Sequence, residues 1–156
     1  MGAAFLLAQL GAHAAGRYAG RVAELELDPA QTGVLHLIAR EPGRSQQALA
    51  DRLGVAPSRV VGLVDGLEAR GLLERRRSAT DRRTYELHLT GQGQDLLQRL
   101  RQVATAHEAD VTTALTADER QALVELLRKV ADQQGLTPGV HPGYRRLPAP
   151  PSAPGQ

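Results

Sequence analysis

Between Arg70 and Arg83, six arginines (70, 75, 76, 77, 82 and 83) face only Glu74 and Asp81, a local charge of +4 in a chain whose formal charge is +2. Guanidinium groups stay charged at all physiological pH and match phosphate oxygens and guanine edges in a fork geometry, so such a cluster points to a polyanionic partner. Just ahead of it, Val60, Leu63, Val64 and Leu67 recur at the spacing of one buried helical stripe. That leaves Ser58, Arg59, Gly62 and Asp65 on the opposite, wet face. A helix without bulky apolar groups on its outer face fits a major groove, and long arginines on an adjoining hairpin fit the narrower, more negative minor groove. No paired nucleophile and base, glycine-rich phosphate loop or carboxylate pair stands out, so neither enzyme nor cofactor is expected. The absence of cysteine removes disulfides, thiolate metal sites and thiol redox sensing.

Local signals say what must hold these groups. Pro57 suits a first helical position and biases Ala56 toward the extended backbone of a cap, and Gly71 after Arg70 supplies a left-handed stop. Beyond it, Leu73, Arg75 and Arg77 alternate on one side of a short strand, and Tyr85, Leu87 and Leu89 alternate on a returning one. Ser78-Ala79-Thr80-Asp81 carries turn chemistry, which puts the hairpin tip at about Ser78 to Arg83. Upstream, Ser45 is the expected cap of a short helix from Gln46 to Leu53 that stops at Gly54. Helix, turn and helix of this kind are a helix-turn-helix in which the second helix reads and the first sits over the backbone. Ser45, Gln46 and Gln47 then offer a hydroxyl and N–H groups to a phosphate oxygen.

The stretch SQQALADRLGVAPSRVVGLVDGLEARGLLERR, followed by ATDRRTYELHLTGQG, resembles the MarR family of winged helix-turn-helix transcription regulators. Asp81-Arg82-Arg83 followed by Leu89-Thr90 is similar to the family's wing signature, and the likeness runs from about Phe5 to Leu127. It implies a mainly α fold with a small β-hairpin wing, as an intertwined dimer of MarR type, bound to double-stranded DNA. Arg83 is then the minor-groove arginine, with Asp81 pairing to fix its fork and Arg82 nearer phosphate; Arg75 and Arg77 are candidates for phosphate contact. On the reading helix, Ser58 and Arg59 lie in the first turn, while Gly62, preceded by Val61, stands where the resemblance implies a polar or basic residue. Base readout is thus expected to be thin, with Val61 against a thymine methyl.

The remaining helices frame this region. Residues 3–26 form a long helical pattern rich in small residues, and Asp28-Pro29 opens a second helix through Ala39. Past the wing, Thr90 should cap a helix continuing to about Leu115, and Thr116 to Glu119 is a capping box opening a last helix with Leu123, Leu126, Leu127 and Val130 on one face. These terminal helices have little core of their own, and the family's habit of interdigitating them with a second subunit implies a homodimer. The expected division is 1–27 for dimerisation, 28–90 for DNA binding, 91–136 for dimerisation, and a disordered Pro/Gly-rich tail at 137–156, with Arg145-Arg146 as a weak electrostatic contact.

His13, His36 and His107 fall on the three helices that, in this family, surround a cleft for small aromatic or phenolic effectors. With few aromatic residues available, a pocket here would suit an apolar effector. A metal-responsive version of the fold would need His36 and His107 with Glu108 or Asp110, but no dense ligand cluster is visible and no metal is expected. A helical adaptor without DNA binding would leave the arginines without a purpose. The opening GAAFLLAQLGAHAAG lacks a basic residue ahead of it and no apolar run reaches the ~20 residues of a membrane span, so a cytoplasmic protein is expected. A repressor acting on a pseudo-palindromic operator is the function these features imply.

Overall fold

The computed structural model describes residues 2–141, in six helices and one two-stranded antiparallel sheet. Helices α1 (Ala3–Ala23), α2 (Pro29–Arg40), α3 (Gln46–Leu53) and α4 (Pro57–Ala69) precede strands β1 (Leu73–Arg77) and β2 (Tyr85–Leu89), and α5 (Gly91–Val111) and α6 (Ala117–Gln133) close the chain. The described chain forms two compact units: residues 2–32 with Gln98–Leu136, and Gly33–Leu97 joined by the first residues after Leu136. The boundaries fall inside α2 and α5.

The expected stop signals act where their chemistry allows. Ser45 Oγ accepts the Ala48 N–H at 3.2 Å, and Gly54 ends α3 in the left-handed conformation at φ 66°. Ala56 has the extended backbone that precedes a proline, Pro57 begins α4, and Gly71 (φ 68°) follows its last turn. Asp28 Oδ1 accepts the Gln31 N–H at 2.7 Å while the Gln31 side chain accepts the Asp28 N–H at 3.1 Å, a reciprocal cap for α2. Thr116 and Glu119 make the same reciprocal pair at α6. The first helix is shorter than the periodicity suggests: it ends at Ala23, and a turn follows in which Glu26 takes φ 55°.

In the second unit, the strands pair with Leu73 opposite Leu89, Arg75 opposite Leu87 and Arg77 opposite Tyr85. Period-two alternation sends Leu73 and Leu87 inward, each about 1% exposed, where they join Leu35, Leu49, Leu53, Val60, Val64 and Leu67. A further segment extends the sheet: the Gly43 N–H donates to Leu87 O at 3.1 Å and the Leu87 N–H to Arg44 O at 2.9 Å. Thr90 ties the hairpin to α5, its hydroxyl donating to Gly71 O at 2.6 Å and accepting the Gly93 N–H at 3.1 Å. Gly93 packs so closely that a Cβ there would lie 1.9 Å from Leu72 O.

The first unit is built differently. Val22, Leu27 and Leu100 are buried, yet α6 buries no residue, and Phe5, Leu10, Leu126 and Val130 stay between 47% and 63% exposed. The tail expected at 137–156 begins with a turn, in which the Val140 N–H reaches Thr137 O at 3.1 Å and Arg52 Nη2 donates to Pro138 O at 3.4 Å. Arg145, Arg146 and Tyr144 lie outside the described residues. Among the described residues, no helix is long and apolar enough to cross a membrane.

Candidate nucleic-acid interface

The wing divides its arginines into two groups. At the tip, Ser78 Oγ accepts the N–H groups of Thr80 (3.3 Å) and Asp81 (3.4 Å), and Thr84 returns its N–H to Asp81 O at 2.9 Å. These short-range bonds close the turn and leave Arg82 and Arg83 projecting from it, both exposed. Among the described residues no carboxylate pairs with either guanidinium. Asp81 does engage Arg83, but through the backbone: Oδ1 accepts the Arg83 N–H at 3.0 Å and Oδ2 the Thr84 hydroxyl at 2.9 Å. The expected Asp81–Arg83 fork is thus corrected to a turn cap, because the carboxylate sits two residues from an N–H it can reach without ordering a long side chain. The Arg83 N–H, with the Thr84 hydroxyl behind it, holds the Asp81 carboxyl below the usual carboxylate range.

Lower on the hairpin, Arg77 stands over the Tyr85 ring across the strands, 5.9 Å from its centroid, an arrangement that stiffens the side chain while leaving its charge exposed. Arg76, on the other side of the strand, pairs with Glu74. His88 Nε2 lies 3.3 Å from Glu86 Oε2. The Glu86 carboxyl is kept low by the Ser78 hydroxyl first and His88 second.

Arg75 is a phosphate candidate by sequence and a wall of the wing base by structure. Its side chain is 21% exposed and its guanidinium is met by Asp65, Glu68 and Gln46. It occupies the same strand face as Arg77, but two positions nearer the helices, where acceptors wait. Gln46 is thereby committed through its side-chain carbonyl. Gln47 donates to Asp51 one turn along at 2.9 Å, and Ser45 caps α3. These side chains stabilise α3 first, and Gln47 remains exposed.

On α4, Ser58, Val61 and Gly62 are exposed, Val61 at 39%, and Arg59 is half-buried. A Cβ at Gly62 would meet nothing within 4 Å, so no packing inside the chain calls for glycine there. Glycine costs about 1 kcal/mol relative to alanine within a helix. The exposed surface of α4 and the wing tip therefore present Ser58, Val61, Gly62, Arg82 and Arg83 together with Arg77 from one compact unit.

The three histidines stand on α1, α2 and α5. His13 is exposed on α1, and His36 belongs to the other compact unit. His107 on α5 stacks tilted against Tyr18 of α1, centroids 5.4 Å apart, with its Nδ1 buried and without a hydrogen-bond partner. Burial raises the Tyr18 hydroxyl above its ordinary value, offset by a hydrogen bond with Thr32. Asp110, a metal-ligand candidate by spacing, is instead held by Arg17 at 2.6 Å and Arg21 at 2.7 Å. Among the described residues no group of three or more His, Cys, Asp or Glu side chains could hold a metal ion.

Residues 25–84 match the family model described as MarR family. Over 83% of its length the chain superposes with TM-score 0.73 on the CouR transcriptional repressor bound to a 23-mer DNA duplex, covering 92% of that chain at 37% identity. The chain belongs to the MarR family of transcriptional regulators. A MarR family protein of Mycobacterium tuberculosis in complex with DNA aligns with TM-score 0.73 and 25% identity, over 83% of this chain and 98% of that one. The same protein in complex with salicylic acid aligns with TM-score 0.68 and 26% identity, over 83% and 96%. A Thauera aromatica protein assigned as transcriptional regulator of the hcr operon is 40% identical over 110 residues, 70% of this chain and 66% of its own length. This MarR family chain is mainly helical, with the two-stranded wing and the helix-turn-helix of its relatives.

Proposed function

We propose that this MarR family regulator is a cytoplasmic repressor that binds, as a homodimer, a pseudo-palindromic operator whose half-sites lie about one helical turn apart. Each subunit sets α4 in a major groove and its wing tip in the flanking minor groove. The observation that carries this is the pair of exposed guanidinium groups, Arg82 and Arg83, with no carboxylate partner among the described residues, at the end of a hairpin in which Arg75 and Arg76, lower down, are matched by carboxylates. An unmatched cationic tip gains most where the field is most negative, in a narrow minor groove. The DNA complexes of CouR and of the M. tuberculosis relative support the duplex as partner.

The second copy is supported by the apolar residues that the first unit leaves in water. Phe5, Leu6, Leu7 and Leu10 on α1, and Leu123, Leu126, Leu127 and Val130 on α6, are all more than a third exposed. At about 25 cal/mol per Å² of apolar surface, covering them is worth several kcal/mol, and a copy of the same chain offers the matching faces. A small aromatic or apolar effector acts as the releasing signal, supported by the salicylic acid complex of the relative and by the Tyr18–His107 pair with its unpartnered ring nitrogen.

Footprinting on the DNA flanking the protein's own gene tests this. Two protected half-sites about one turn apart, from a species of dimer mass, are expected. Failure to bind either that DNA or a random duplex library at low salt would contradict the proposal.

A further inference from the structure

We infer that Arg75 is a positioning residue: it fixes the wing against both helices of the helix-turn-helix, and it is not a phosphate ligand. The inference rests on the DNA-binding reading above and changes the role of one of its arginines. All three guanidinium nitrogens are engaged. Nε donates to Gln46 Oε1 at 2.7 Å, Nη2 to Asp65 Oδ1 at 2.5 Å, and Nη1 to Glu68 Oε2, while the Arg75 backbone N–H donates to Glu68 Oε1 at 3.2 Å. Gln46 is the first residue of α3, and Asp65 and Glu68 stand on α4. One planar cation on β1 is thus bonded to the helix that lies over the backbone and to the helix that reads bases.

Geometry and charge both favour this role. A phosphate ligand keeps its fork free until DNA arrives; this fork is filled by two carboxylates and an amide, and the side chain is only 21% exposed. Releasing it to a phosphate would leave Asp65 and Glu68 as uncompensated negative charges beside the surface that meets the duplex. Held in place, it cancels one charge and shares the other, so α4 can approach DNA without carrying two bare carboxylates. Lysine cannot stand in, because a point charge on a flexible stem does not span three acceptors on two helices.

The two roles predict opposite signs for one experiment. Removing acids from a DNA-binding surface ordinarily strengthens binding, and it would also free a phosphate-binding Arg75. If Arg75 positions the wing, the Asp65→Ala/Glu68→Ala protein should instead bind operator about tenfold more weakly, the loss of one charge-assisted anchorage. Its affinity for random duplex should hold or rise, so the operator-to-random ratio falls. Arg75→Lys, which keeps the charge and the fold, should show the same fall in ratio, with circular dichroism confirming folded protein in each case. Tighter operator binding by the double variant, or an Arg75→Lys protein with wild-type ratio, would overturn the inference. Loss of operator and random affinity by equal factors would overturn it too, since that is the signature of a lost phosphate contact. Wild-type protein binding no operator at all would remove the DNA-binding reading itself, a result separate from any change confined to the variants.

Discussion

The base and the tip of the wing use the same residue type to opposite ends. At the base, Arg75 is surrounded by Gln46, Asp65 and Glu68, and Leu73 and Leu87 beneath it are buried. At the tip, Arg82 and Arg83 are exposed, and the nearest acid, Asp81, uses both carboxylate oxygens on the Arg83 N–H and the Thr84 hydroxyl. Charge satisfied inside the protein holds a shape; charge left unsatisfied is available to a partner. On the proposed reading, Arg75 is a mount and the Arg82–Arg83 pair a probe, separated by a few residues of the hairpin.

The largest blow to the mount should come from Gly93→Ala. Its Cβ would lie 1.9 Å from the Leu72 carbonyl, and backbone cannot yield as a side chain can. A loss of stability on the order of 3 kcal/mol, the upper range for overpacking, is expected in denaturant melts. DNA affinity should fall only as far as the folded fraction does. A melt indistinguishable from wild type would show that the hairpin base is looser than its geometry.

Arg83→Ala strikes the probe and should do the converse. Operator binding is expected to weaken by about 1–3 kcal/mol, with the thermal midpoint unchanged. Gly62→Ala sharpens the contrast on α4: with open space around the missing Cβ, alanine should stabilise the helix by up to about 1 kcal/mol. Operator affinity should drop at the same time if the duplex backbone or a base edge comes close there. A rise in both would mean that Gly62 faces only water.

The smallest effect is one of pH. The folded-state pKa of Asp81 lies below its ordinary 3.8, chiefly through the Arg83 N–H, so the turn cap is fully present above about pH 3.8 and is lost as pH falls through the lower folded value. Acid titration followed by the Arg83 amide resonance should show that amide losing its hydrogen bond below pH 3.8 while the α4 amides hold. Asp81→Asn should abolish the transition. An amide insensitive to pH in the native protein would return Asp81 to the role of partner for the Arg83 side chain.

Much of this arrangement is legible in the sequence because its signals are local. Pro57, Gly54, Gly71, Ser45 and Thr116 act within one turn of themselves, and the alternation of Leu73, Arg75 and Arg77 with Tyr85, Leu87 and Leu89 sets the strand register directly. What distinguishes Arg75 from Arg77 is not local. Both occupy one strand face, and their different fates depend on Gln46, Asp65 and Glu68, which lie 29, 10 and 7 residues away along the chain. The joining of Gly43 and Arg44 to β2 is hidden for the same reason, as is the close approach of Gly93 to Leu72. His13, His36 and His107 stand on α1, α2 and α5, the three helices that the likeness names. Asp110, attractive as a ligand three residues from His107, is occupied by arginines from α1.

The salt dependence of operator binding reports most directly on the wing tip. The affinities of wild-type and Arg82→Ala/Arg83→Ala proteins for the DNA flanking the gene should be measured across a salt series. Each arginine that displaces a counterion from duplex phosphate contributes about 0.9 to the slope of log affinity against log salt. A steep wild-type slope, reduced by roughly one to two in the double variant with weaker binding throughout, is the predicted result. Equal affinities and equal slopes for the two proteins would contradict a wing tip that enters DNA.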